Sequence, residues 1–179
     1  CVGLYDQTSP YDRNYNNLGR GMFELDQKYI CDIEKTMPKG AAIYQLPYMP
    51  FPEVPPLNNL PDYGLGVGFI NSNNLCWSYG GMKGREGDLF YRALSQEPIE
   101  KQLDVIKKLG FSGIYIDTRG YADKGMSIIR QLSHILGTSP TLSRADGRSV
   151  FFKIPSSVQI DFSDIMPFEI MQKAGYIAD

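Results

Sequence analysis

Histidine and cysteine are scarce in this chain, which limits the metal and nucleophilic sites that it can build. His134 is the single histidine, and the three cysteines, Cys1, Cys31 and Cys76, show no CxxC spacing. A Cys/His zinc site would need nearly all of these residues, so we expect no metal site. No GxSxG elbow occurs, and His134 lies in the helical pattern IIRQLSHILG, which argues against serine-nucleophile chemistry. Neither a GxxxxGK[ST] loop nor a strand-linked GxGxxG is present, and we expect no cofactor.

The chain also lacks an excess of positive charge and a long apolar run. Its 18 Lys and Arg residues against 20 Asp and Glu residues leave a formal charge of −2, so nucleic acid is not an expected partner. No run approaches the roughly 18 to 20 apolar residues that span a bilayer. The 179 residues and 42% hydrophobic content fit one domain. Because the sequence begins at Cys1 without an initiator Met, we expect a fragment of a larger protein.

The first half of the chain mixes helical, extended and irregular patterns. Residues 1–18 are rich in Tyr, Asn, Asp and Pro without a period, which favours an extended segment or loop. Apolar residues three or four apart from Met22 to Ile33 predict a helix that stops at Pro38. The segments that follow are predicted as a buried strand (41–48), an irregular excursion with five prolines (49–63), glycine-rich β structure (64–70) and a strand (74–81). The 64–81 region is an expected source of antiparallel strands.

The second half alternates helical and strand patterns. A helix is predicted from Glu97-Pro98 to Leu109-Gly110, a buried strand over 111–121, a helical stripe from Met126 to Leu136, and a strand over 149–155 after the Asp146-Gly147 turn. This alternation predicts an α/β domain with a mixed, partly parallel sheet flanked by helices in two or three layers. Residues 156–179 are expected to form a peripheral segment with a short helix.

Asp117 is the first candidate site residue, because it closes the apolar run Ile114-Tyr115-Ile116 and precedes Arg119 and Tyr121. In parallel α/β sheets, ligands bind beyond the carboxyl ends of strands. The alternative is that Asp117 caps a turn or pairs with Arg119.

A second candidate group lies between residues 77 and 85, where aromatic rings and two cations surround flexible glycines. Its members are Trp77, Tyr79, Lys83 and Arg85. Aromatic faces stack on sugars, and the cations can hold a phosphate. We expect an anionic or glycosylated ligand here.

Gln45, Tyr48 and Glu53 form a third group around the proline-rich excursion and are expected to line a cleft beside Asp117. A Glu53/Asp117 pair would correspond to the two carboxylates of a glycosidase. The sequence does not fix the separation of these two carboxylates.

Several phrases of the sequence together resemble a known type of protein. They are YDQT (5–8), IYQLPYMPFPE (43–53), LCWSYGGMKGR (75–85), GFSGIYIDTRGY (110–121) and SRADGRSVFFKI (143–154). They are similar to the soluble C-terminal region of bacterial multi-pass membrane proteins of the GT-C glycosyltransferase type, including sugar translocases and phosphoglycerol transferases. The resemblance implies an extracytoplasmic, periplasmic domain at the inner membrane, attached to the transmembrane region of its own parent chain. It also implies that the catalytic carboxylates lie in loops between membrane helices.

The leading hypothesis is therefore an accessory domain that helps a membrane-bound transferase of cell-envelope glycans to hold its acceptor glycan or its lipid-linked donor. Trp77, Tyr79, Lys83 and Arg85 would contact the ligand, with Asp117, Arg119 and Tyr121 opposite. Two alternatives stay open. One is a small glycan hydrolase that uses Glu53 and Asp117, and the other is a structural domain that docks on its own membrane helices or on a partner protein.

Overall fold

A five-stranded mixed sheet forms the centre of the domain in the computed structural model, which describes residues 12–155 and, for the side chains, residues 19–155. The strands are β1 (Ala42–Leu46), β2 (Cys76–Trp77), β3 (Phe111–Asp117), β4 (Leu142–Ser143) and β5 (Ser149–Lys153), in the order β2-β1-β3-β5-β4. The first three strands in this order are parallel, and β5 and β4 are antiparallel to their neighbours. The predicted mixed, partly parallel α/β fold is confirmed.

Five α-helices accompany the sheet within residues 12–155. They are α1 (Asp12–Thr36), α2 (Val67–Asn71), α3 (Glu86–Leu94), α4 (Ile99–Lys108) and α5 (Met126–Leu136), with two short 3-10 turns at Gly64–Gly66 and Thr118–Gly120. No helix in the described part of the chain is both long enough and apolar enough to cross a bilayer.

The alternation of side chains along β3 divides the core into two halves. Ile114 and Ile116 face α3, α4 and α5, while Tyr115 faces α1 and the segment before β2. Every residue of β3 is buried, as expected for a strand that is covered on both faces. The domain therefore has three layers, with the sheet in the middle.

Two sequence predictions fail in the first half of the chain. The helix α1 begins at Asp12, so residues 12–18 are helical and not extended. Once the apolar stripe between Met22 and Ile33 establishes a helix, adding further residues costs little, and Asn and Tyr are only moderately poor helix formers. Residues 1–11 and the predicted peripheral segment 156–179 lie outside the described residues.

Residues 64–71 are also helical, which contradicts the prediction of glycine-rich β structure. The glycine at position 68 has a packing role, because a Cβ there would lie 2.6 Å from the indole ring of Trp77. The glycine allows α2 to pack directly on that ring. The region adds one short strand, β2, and this strand is parallel to β1 and not antiparallel.

The helix α3 has no counterpart in the sequence prediction. It follows Gly84 and Arg85, carries Glu86 and Asp88 in its first turn, and has Arg92 in its last turn. These charges match the helix dipole at both ends. The glycines around it obscured the short apolar pattern.

Residues 49–63, the proline-rich excursion, cover the carboxyl end of the sheet. Leu60 is completely buried there. The Asn58 side-chain amide donates to the Gly120 carbonyl at 2.7 Å, and the Asn59 N–H donates to the Arg119 carbonyl at 3.0 Å. The prediction of an ordered, irregular segment is confirmed.

Candidate functional site

An open cleft of about 330 Å³ lies beyond the carboxyl end of β3. We call it the Arg119 cleft, and its lining residues are Asn59, Thr118, Arg119, Tyr121, Lys124, Asp146, Gly147 and Arg148. The turn between β4 and β5 reaches this edge because β5 runs antiparallel to β3, with Ser149 opposite Asp117. The cleft is thus built from the end of a parallel strand and from a hairpin turn.

The Asp117–Arg119 pair forms one side of the Arg119 cleft. The Arg119 Nε and Nη2 atoms donate to the two carboxylate oxygens of Asp117 at 2.9 and 2.7 Å, and the Arg119 N–H donates to Oδ1 at 3.1 Å. The Asp117 side chain is 0% exposed and that of Arg119 is 26% exposed. The hydrogen bonds to Asp117 raise the pKa of the Arg119 guanidinium, and burial opposes this rise. Asp117 therefore holds a permanently charged guanidinium at the cleft.

The β4–β5 turn brings a second set of charges. Arg144, with 3% of its side chain exposed, pairs with Asp26 of α1 at 3.0 Å and with Asp146 at 3.2 Å, and it also donates to the Met22 carbonyl. Arg148 pairs with the same Asp146 at 3.3 Å. Burial raises the pKa of the Asp26 carboxyl, and the nearby guanidiniums counter this effect. The one acid in the cleft lining, Asp146, is thus shared between two arginines.

Lys124 and Tyr121 complete the cleft. Lys124 is exposed and has a left-handed backbone, with φ of 57°. Within residues 19–155 its ammonium group has no ion-pair partner. Burial raises the pKa of the Tyr121 hydroxyl, so this group stays neutral and able to donate a hydrogen bond.

A second cavity, the Tyr79 cavity, lies at the end of β1 and is much smaller. Its volume is about 20 Å³, and its lining includes Gln45, Tyr48 and Tyr79. That is space for about one water molecule and not for a sugar. Gln45 is occupied in holding the fold, because its side chain donates to the Leu65 carbonyl at 2.7 Å and accepts from the Tyr79 N–H at 2.9 Å.

Asp88 is a central residue beside the Tyr79 cavity that the sequence reasoning missed. Its buried carboxylate accepts from the Tyr48 hydroxyl at 2.5 Å, from the Gly84 N–H at 2.9 Å and from Arg92 at 2.9 Å. The signal was available as an acidic residue in the first turn after a glycine-rich loop, at the start of the unpredicted α3. Asp88 fixes the loop that carries Lys83 and Arg85.

The remaining residues predicted around 77–85 are used within the fold or lie on the surface. The Trp77 indole N–H donates to the Ser72 hydroxyl at 2.7 Å, and its ring packs edge-on against Tyr115. Lys83 donates to the Glu53 carbonyl at 2.6 Å. Arg85 is exposed.

The two cavities are separated by packed side chains, so the structure does not bring the predicted residues into one cleft. At Gly120 a Cβ would lie 2.5 Å from Pro47 and 3.2 Å from Leu60. Arg119 and Tyr121 line the Arg119 cleft, whereas Gln45, Tyr48 and Tyr79 line the Tyr79 cavity. Trp77, Lys83 and Arg85 line neither.

The predicted carboxylate pair has poor geometry for glycan hydrolysis. Both oxygens of Asp117 are taken by Arg119, and the carboxylate has no exposed surface. Glu53 is exposed and has a left-handed backbone with φ of 52°. A general acid or nucleophile must reach the sugar, and Asp117 is closed off from it. The arrangement favours the alternative that Asp117 caps a turn and pairs with Arg119.

Among the described residues, no group of three His, Cys, Asp or Glu side chains could hold a metal ion. Comparison of the chain with protein-family models, with curated proteins and with solved structures finds no match. The functional argument therefore depends on the Arg119 cleft.

Proposed function

We propose that this chain is an accessory extracytoplasmic domain of a membrane-bound glycosyl- or phosphoglycerol-transferase that acts on cell-envelope glycans. In this role the domain binds the donor or the acceptor glycan, and the parent chain's membrane region performs the chemistry. The periplasmic location and the attachment to membrane helices are part of this proposal, and they are supported by the resemblance of the sequence phrases to the GT-C type.

The observation that supports a binding role is that the Arg119 cleft presents cationic and neutral hydrogen-bonding groups, whereas the Asp117 carboxylate beside it is already bound to Arg119. The cleft has a volume of about 330 Å³, which is at the lower end of the range for small-ligand sites. It presents Arg119 in a fixed orientation and Tyr121 as a neutral donor. Asp117, the best-placed carboxylate, is bound to Arg119 and serves to orient it. Such a site is suited to hold a ligand and poorly suited to cleave one.

The experiment that tests this function is a transferase assay of the full-length parent protein with cleft variants. Lys124→Ala and Arg148→Ala remove two cations of the cleft without leaving Asp117 or Asp146 unpaired, since Arg119 and Arg144 stay in place. We expect a higher KM for donor or acceptor with a smaller effect on kcat. Lys108→Ala, at an exposed ion pair on α4, is the matched control. Unchanged kinetics in both cleft variants would refute the accessory binding role.

A docking function is the second candidate, and exposed apolar residues on α2 support it. Phe69 and Ile70 are 76% and 70% exposed, and adjacent exposed apolar side chains of this size are a common feature of contact surfaces. Phe69→Ser with Ile70→Ser should lower the activity of the full-length transferase and leave ligand binding by the domain unchanged if docking is the role. If binding by the domain is also lost, the docking interpretation is wrong.

A further inference from the structure

We infer that the Arg119 cleft is a phosphate-ester site, with Arg119, Lys124 and Arg148 as the groups that contact the phosphate. This inference deepens the proposed function and depends on it only for the biological role of the ligand. The cleft itself is an independent physical observation.

The charge of the lining is the first argument. Three cations and one acid line the cleft, and the acid, Asp146, is already paired with Arg144 and Arg148. The neighbouring Asp123 is also occupied, since its carboxylate accepts from the N–H groups of Gly125 and Ser127. Among residues 19–155, Lys124 therefore contributes a surface positive charge that has no ion-pair partner.

The second argument is that the Arg119 guanidinium is held in place before any ligand arrives. Arg119 is bound bidentately by Asp117, whereas Arg148 has only an ion pair with Asp146 at 3.3 Å and is 41% exposed. A guanidinium fixed in this way, like that of Arg119, loses little conformational entropy when the N–H groups that do not contact Asp117 bind an oxyanion. Asp117 is then a positioning residue that acts through Arg119.

The third argument concerns the backbone, which leaves recognition to the side chains. The N–H groups of Thr118, Tyr121, Lys124, Gly147 and Arg148 all have acceptors within the protein. The site is thus unlike a glycine-rich phosphate loop, in which backbone N–H groups hold the anion. Binding here should depend strongly on side-chain charge and on salt concentration.

The volume and the neutral groups of the cleft indicate what is attached to the phosphate. About 330 Å³ leaves space beside the phosphate for a small polyol or one sugar residue. The Tyr121 hydroxyl and the exposed Asn59 side chain offer neutral hydrogen-bonding groups for its hydroxyls. A glycerol phosphate or sugar phosphate fits this combination better than an inorganic ion does.

The test is a titration of the chain with glycerol phosphate, inorganic phosphate and neutral glycerol, followed by amide NMR shifts. We expect saturable shifts confined to residues 118–125 and 146–149 with glycerol phosphate, weaker binding of inorganic phosphate, and none with glycerol. Lys124→Ala and Arg148→Ala should each weaken binding by roughly tenfold, because each removes one charge-assisted contact. Lys124→Ala retains a Cβ at the left-handed position, and Lys108→Ala again serves as the control.

Vesicles distinguish a soluble phosphate ester from a lipid headgroup. Binding to phosphatidylglycerol vesicles that free glycerol phosphate displaces would identify a lipid-linked ligand and support the site. Absence of saturable shifts with both phosphate probes, or equal weakening by Lys108→Ala, would overturn it.

The outcomes also separate this inference from the proposed function. If a neutral glycan binds at the cleft and phosphate esters do not, the accessory role stands and the phosphate site is wrong. If phosphate esters bind and the cleft variants leave the full-length transferase unaffected, the phosphate site stands and the accessory role is wrong.

Discussion

Replacing Arg119 by methionine would leave the Asp117 carboxylate buried without its counter-ion. Two of the three hydrogen bonds to this carboxylate come from the Arg119 guanidinium, and only the Arg119 N–H would remain. Breaking a buried pair by removing one partner costs about 3 to 5 kcal/mol. Because Arg119 is 26% exposed and water can enter from the cleft, we expect the lower end, about 3 kcal/mol. For a domain of this size that is a decrease in Tm of roughly 6 to 12 °C.

Urea denaturation of Arg119→Met, with Arg130→Met on the exposed face of α5 as the matched control, measures this loss. The double variant Asp117→Asn/Arg119→Met removes the stranded charge, so it should be more stable than Arg119→Met alone. The reasoning is refuted if Arg119→Met is as stable as Arg130→Met, or if the double variant is no more stable than Arg119→Met.

Three further predictions concern packing, the α3 network and pH. Gly68→Ala should lower the free energy of unfolding by about 1 to 3 kcal/mol through overpacking, and it should shift the fluorescence emission of Trp77, the only tryptophan. Unchanged emission and stability would contradict the close contact between Gly68 and Trp77. Asp88→Ala should lower the free energy of unfolding by about 2 kcal/mol, because the Gly84 N–H loses its buried acceptor. Amide hydrogen exchange at Gly84 should also become faster, and a Gly84 amide that stays protected would refute this role of Asp88. Hydrogen bonds from Ser127 hold the pKa of Asp123 below its usual 3.8, so the stabilisation by these hydrogen bonds is present above pH 3.8 and is lost as the pH falls through the lower folded-state value. The Tm difference between wild type and Asp123→Ala should therefore shrink in acid, and a difference that is constant with pH would exclude the effect.

Local patterns were sufficient to predict the elements that have a continuous apolar signal. The runs that became β1, β3 and β5 were correctly predicted, and so were the helical stripes of α4 and α5. Each of these elements is buried along one stripe or on both faces, so burial and sequence pattern agree. Residues 64–71 and α3 were not correctly predicted, because glycines interrupt their apolar patterns. Contacts that the local sequence does not reveal support them: Gly68 packs on Trp77, and the Asp88 carboxylate accepts from the Gly84 N–H.

The candidate site was only partly predictable, since it depends on strand order. Asp117, Arg119 and Tyr121 were found because they follow a recognisable buried strand. Arg148 was not among the predicted site residues, although the Asp146-Gly147 turn that precedes it was predicted. Only the antiparallel pairing of β5 with β3 brings that turn to the same edge, and a long-range pairing of this kind has no local sequence signal.

Arg144 links α1 to the β4–β5 hairpin that lines the cleft. The same guanidinium holds Asp26 and the Met22 carbonyl of α1 on one side and Asp146 of the hairpin on the other. Loosening either element exposes the same buried charge, so the two should open as one cooperative unit. A ligand that fixes Arg148 would then slow hydrogen exchange in α1 as well as in the hairpin. Protection in that helix would report occupancy of the cleft and would not mark a second binding site.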